Sequence, residues 1–133
     1  MKLDSHVHLW KYDPEQYRWI GPELTVLQRD YLPEDLAALQ APLGFEGAVA
    51  VQARQSLEET EFLLDLAERY SIVKGVVGWV DLRSDSVEAQ LERFADHPAF
   101  CGVRHVVQDE PDDRFIVRED FVRGVRALTS FDL

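Results

Sequence analysis

Four stretches rich in β-branched or small apolar residues recur along the chain: Lys2–His8, Glu46–Gln52, Val73–Val80 and Phe100–Val107. The last three begin at positions 46, 73 and 100, a repeat of 27 residues that suits one strand, one helix and two short loops. Between them the apolar spacing becomes helical. Leu63, Leu66, Ala67 and Tyr70 share one stripe, opened by Ser56 and Glu59 at capping-box spacing. Val87, Leu91, Phe94 and Ala95 follow a similar start at Asp85 and Glu88, and His97-Pro98 closes that helix. An earlier helix begins near Pro33, with Leu32, Leu36 and Leu39 on one face. A fourth covers roughly Glu119–Leu128, and Ser130-Phe131-Asp132-Leu133 reads as the start of a fifth strand.

Strands alternating with helices at this period predict right-handed βαβ units, a parallel sheet and an α/β class. An open doubly wound sheet normally carries a glycine-rich phosphate loop after its first strand, and His6-Val7-His8-Leu9-Trp10 stands there instead. A (β/α)8 TIM barrel fits better. Such a barrel takes about 250 residues, so residues 1–133 are expected to form the N-terminal half of a single barrel domain: four βα units and the beginning of strand five. A half-barrel is expected to be incomplete and inactive alone.

Composition narrows the partners. Acidic residues outnumber basic ones by 25 to 14, and the net charge of −11 disfavours nucleic acid and anionic membrane surfaces. No signal-like apolar region follows Met1 and no run is long enough for a membrane span, which points to the cytoplasm. Cys101, the sole cysteine, lies between Phe100 and Val103 and is expected to fill core.

A barrel places its chemistry at the C-terminal ends of its strands, and here each strand ends in polar residues. His6 and His8 end the first. Two residues apart on a strand, both imidazoles face one side and can grip one substrate or share a metal ion. Gln52 ends the second strand, with Arg54 just beyond; Trp79 and Asp81 end the third; Arg104 and His105 end the fourth. Arg104 offers a planar fork of donors to a carboxylate or a polarised carbonyl oxygen. His105, its neighbour, is expected to face the other way. Gln52 and Asp81 could orient substrate hydroxyls, and Trp79 could stack on a sugar ring. The long aromatic connection from Leu9 to Asp30, with Trp10, Tyr12, Tyr17 and Trp19, is expected to cap the site. The acidic run Asp109-Glu110-Pro111-Asp112-Asp113 reads as a solvated loop.

Five ordered blocks carry a resemblance: Asp4-Ser5-His6-Val7-His8-Leu9-Trp10, Asp30-Tyr31-Leu32-Pro33-Glu34-Asp35-Leu36, Val51-Gln52-Ala53, Gly78-Trp79-Val80-Asp81-Leu82, and Gly102-Val103-Arg104-His105 with Gln108-Asp109-Glu110-Pro111. Together they resemble the amidohydrolase-related lactonases, which include fuconolactonase and rhamnonolactonase types and, more distantly, 2-pyrone-4,6-dicarboxylate lactonase. The resemblance implies a (β/α)8 barrel that hydrolyses a cyclic ester, with a lactone or sugar acid as its small-molecule partner. It assigns His6 and His8 to the first-strand histidines and Arg104 to the arginine that contacts the lactone or its carboxylate. The family's strand-six histidine and the aspartate that serves as general base have no counterpart within these residues. The expected cofactor is none, or a divalent metal such as zinc for which His6 and His8 supply two of the three or more ligands needed. A metal-dependent amidohydrolase or decarboxylase would share this fold. A half-barrel that dimerises through its open sheet edge would instead be a binding module.

Overall fold

The computed structural model describes residues 1–133. Four parallel strands, β1 (Leu3–Val7), β2 (Gly47–Val51), β3 (Val73–Gly78) and β4 (Phe100–Val103), pair in the sequential order β1-β2-β3-β4. Helices α1 (Pro33–Gln40), α2 (Leu57–Arg69), α3 (Val87–Ala95) and α4 (Glu119–Ala127) separate and follow them. A doubly wound sheet reverses its strand order at a switch point and carries helices on both faces. Here the order never reverses. Ala50, Val76 and Phe100 of the sheet, Leu63 and Leu66 of α2, Leu91 and Phe94 of α3 and Phe121 of α4 all belong to one buried cluster, so these helices cover a single face, as in a barrel wall.

The other face of the sheet carries Val49, Gly75 and Cys101: a Cβ built on Gly75 would meet the Cys101 sulfur and the Val49 methyls. Cys101 is therefore exposed and not core filler, because alternation along β4 turns it away from Phe100 and the helices. Residues Leu128–Phe131 form a 3-10 turn and not a fifth strand. The Leu133 N–H donates back to the Leu128 carbonyl at 3.2 Å, closing the segment on itself where a strand would reach a neighbour.

Local chemistry sets the helix ends. Ser56 caps α2 by accepting from the Glu59 N–H at 3.2 Å. The reciprocal half of the box is not made, since the Glu59 side chain turns inward to Ala53. Helix α3 starts behind Ser86, and Asp85 pairs with Arg123 at 2.9 Å. Gly44, in the left-handed region at φ 71°, turns the chain from the end of α1 toward β2. Gly124 lets α4 lie against the chain at Leu82, whose carbonyl oxygen would be 1.8 Å from an added Cβ.

The long β1 to α1 connection builds a small core of its own. Trp10, Tyr17 and Ile20 are buried together, Trp10 and Tyr31 exchange backbone hydrogen bonds at 2.9 Å, and the Trp10 indole donates to the Arg29 carbonyl.

Candidate active site

The C-terminal ends of β1, β2 and β4 border a cavity of about 510 Å3. His8, Arg54 and Arg104 line it, and the aromatic connection closes one side with Gln16, Arg18 and Trp19. Strand alternation brings the His6 and His8 rings to the same side, with their Nε2 atoms 3.2 Å apart. The His8 Nδ1 lies 2.9 Å from the Val51 carbonyl, which can only accept. That nitrogen therefore carries the proton of the neutral ring, and Nε2 keeps its lone pair toward His6. Burial holds the His8 pKa below its ordinary 6.5, the Val51 carbonyl opposes this, and the neighbouring His6 and Arg104 lower it further.

Arg104 is half-buried, and its guanidinium makes no hydrogen bond or ion pair within the chain. The other half-buried basic side chains are matched: Arg54 lies 3.2 Å from Glu59 and Arg118 lies 3.1 Å from Asp120. The fork of Arg104, reaching the cavity beside the His8 imidazole, is therefore open to an acceptor from outside the chain.

The remaining candidates face elsewhere. Gln52 is wholly buried and donates to the Arg104 carbonyl at 3.2 Å, tying the end of β2 to the end of β4; its own carbonyl oxygen has no partner. Trp79 is fixed by Thr60, whose hydroxyl both accepts from the Trp79 N–H and donates to the Trp79 carbonyl at 2.8 Å. Its indole donates to His105 Nδ1 at 3.3 Å, and His105 Nε2 lies 2.6 Å from Glu110. His105 stacks on Phe115, away from the cavity. Asp81 accepts from the Arg83 N–H and organises the turn before α3. Trp10 is buried in the small aromatic core.

Glu59 and Tyr17 meet Arg54 beneath the cavity, a contact the strand ends alone did not indicate. Glu59 is fully buried and accepts from the Ala53 N–H at 2.6 Å, while its second oxygen faces Arg54 Nε in a contact too poorly aligned for a hydrogen bond. Burial pushes its carboxyl up to about 7. Tyr17, buried from the other side under the Arg54 guanidinium, is pushed up to about 12 by burial and then by the Glu59 charge. Glu59 lies four residues before Leu63, on the apolar stripe of α2, so a charged residue at an inward position was the available signal. Glu110 had no such signal. It belongs to the acidic run expected to be solvated, yet it lines the cavity in contact with His105.

The chain is similar to known proteins along its whole length. The chain is 41% identical over 133 residues to the L-fucono-1,5-lactonase of Burkholderia multivorans and 36% identical over 132 residues to that of Burkholderia ambifaria. It spans 45% and 46% of those proteins, so it is about half their length. Two crystal structures of an amidohydrolase from Burkholderia multivorans, one with bound HEPES and one with bound zinc, match it with a TM-score of 0.94 at 40% identity, over 99% of this chain and 46% of theirs. The family profile described as amidohydrolase matches residues 3–133, and the chain belongs to that family.

Proposed function

We propose that residues 1–133 form one wall of a site that hydrolyses a sugar-type lactone, and that catalysis requires the remaining barrel residues present in the longer relatives. The observation that carries this reading is the unpaired Arg104 guanidinium in the same cavity as His8, whose Nε2 lone pair is fixed by the Val51 carbonyl. In lactone opening, water adds to the ester carbonyl carbon, the ring carbon–oxygen bond breaks, and the leaving oxygen takes a proton. Arg104 is placed to hold the charge that develops on the carbonyl oxygen, and the His6–His8 pair to orient the ester. The proton acceptor for the attacking water is assigned to the rest of the barrel. The cytoplasm is the proposed compartment, and no helix is long and apolar enough to cross a membrane.

Zinc, present in one relative's crystal structure, suits the histidine pair in spacing. Two ligands at 2.0–2.1 Å on a tetrahedral ion stand about 3.3 Å apart, against 3.2 Å between the two Nε2 atoms. No third side chain of this chain joins them, so His6 and His8 would hold such an ion only as part of a larger set. Zinc there would act as a Lewis acid on the carbonyl oxygen.

The test is a pH-indicator assay with aldono-1,5-lactones. It is run on the chain alone and on the chain co-expressed with the C-terminal half of the Burkholderia multivorans lactonase. Turnover is expected only in the assembled pair, reduced roughly 100-fold or more by Arg104→Gln. Hydrolysis of amides but not lactones would favour the metal-dependent amidohydrolase reading. A clean dimer of the chain alone, without activity after assembly, would favour pairing of two copies through the open β1 or β4 edge.

A further inference from the structure

We propose that Arg54 is a second anion-binding residue of the cavity, positioned from below by the buried carboxylate of Glu59, and that the cavity therefore accepts polyhydroxy carboxylates, the ring-opened acids. The inference rests on the lactone reading for the hydroxylated part of the ligand, and adds the charge that the ligand carries and the residue that meets it.

The construction around Arg54 is asymmetric. Its Nε side is taken by Glu59 at 3.2 Å and its guanidinium lies over Tyr17, with the carbon 5.5 Å from the ring centroid. No acceptor of the chain meets its terminal nitrogens in good hydrogen-bond alignment, although the Tyr17 hydroxyl is near, and the side chain lines the same cavity as Arg104. A neutral glutamine at position 59 could accept from the Ala53 N–H equally well. What the carboxylate adds is a charge beneath Arg54, and burying it without such a partner would be costly. The cation is thus held at a fixed place, and its outer donors are left for a ligand.

The lining of the cavity carries three guanidinium groups against two carboxylates. Arg18, Arg54 and Arg104 gather there in a chain of net charge −11. Of the two carboxylates at the rim, Glu110 is engaged by His105 at 2.6 Å and Asp109 is exposed to solvent. Each guanidinium fork suits a carboxylate in its geometry, and the amides of Gln16 and Gln55 line the same cavity for hydroxyls. It follows that the acid formed by lactone opening competes with the lactone for this site.

The test is an NMR titration of the 133-residue chain with sodium gluconate and, as the uncharged control, myo-inositol. Gluconate is expected to bind, to bind more weakly as salt is raised, and to perturb the Arg54 and Arg104 side-chain signals; inositol is expected to bind at least tenfold more weakly. Arg54→Gln is expected to weaken gluconate about tenfold. Because that variant strands a buried carboxylate, the double variant Arg54→Gln/Glu59→Gln is measured beside it. Measured at about pH 8.5, where Glu59 is ionised, the double change leaves the net charge unaltered, so a tenfold loss there is a lost contact and not a change of net charge. Unchanged gluconate affinity in the folded double variant, with affinity lost in Arg104→Gln, would overturn the role of Arg54 while leaving the lactone reading intact. Equal binding of gluconate and inositol, or no binding of gluconate, would overturn the anion site. Failure of lactone hydrolysis in the assembled barrel is read in a separate assay and overturns the lactone reading instead.

Discussion

Replacing Glu59 with glutamine should make the stability of the protein less sensitive to pH, and the size of the effect follows from burial. The carboxyl is fully buried, and its pKa rises from the ordinary 4.5 to about 7, chiefly because burial penalises the charged form. A raised acid favours folding while it is protonated. That contribution is complete below the unfolded value and is lost as the pH climbs through the folded one. At 1.36 kcal/mol per pH unit of separation, the loss between about pH 4.5 and pH 8 is roughly 3 kcal/mol, a large share of the 5–15 kcal/mol that holds typical domains together. Glu59→Gln keeps an oxygen for the Ala53 N–H and removes the titration. Its cost at Arg54 is independent of pH because the guanidinium stays charged throughout. Urea unfolding followed by tryptophan fluorescence at several pH values from 5 to 8 measures the difference between the two proteins. The variant should gain on the native chain by about 2–3 kcal/mol over that range. A constant difference would refute the reasoning and show Glu59 to be ionised at ordinary cost.

Three further outcomes are expected. Gly124→Ala should lower the thermal midpoint despite the better helix propensity of alanine, because the new methyl meets the Leu82 carbonyl oxygen at 1.8 Å and backbone must move; a net loss of about 2 kcal/mol is expected, and an unchanged or raised midpoint would contradict it. Leu91→Ala, at a fully buried position of α3, should cost about 2–5 kcal/mol in chemical denaturation, and a loss under 1 kcal/mol would place α3 off the core. Nitrogen-15 NMR should show neutral His8 protonated on Nδ1 and titrating below 6.5, and an Nε2–H tautomer would contradict the bond to Val51.

Much of the fold was legible because burial imposes periodicity. The 27-residue repeat counted from Glu46 marks the strands that begin at Gly47, Val73 and Phe100, and the stripes of α2 and α3 follow from facing the same sheet side. The end of the chain was less legible, since Phe131 and Leu133 are apolar either in a strand or in a turn packed on the core, and composition does not separate the two. In the site, the face shared by His6 and His8 follows from strand alternation alone. The same logic separates Arg104, which faces the cavity, from His105, which faces Phe115. What alternation does not supply is contact between loops. Trp79 and Gln52 look like substrate contacts at strand ends, yet partners distant in sequence, Thr60 and Arg104, occupy them. Arg54, Glu59 and Tyr17 meet only through folding of the aromatic connection onto the β2 to α2 loop.

The central claim is that the polar strand ends form one pocket for a lactone, and the most direct measurement is side-chain NMR with a hydrolysis-resistant sugar δ-lactam. Perturbations gathered on His8, Trp19, Arg54 and Arg104 would match the account. Perturbations absent there, or confined to the open edges at β1 and β4, would contradict it.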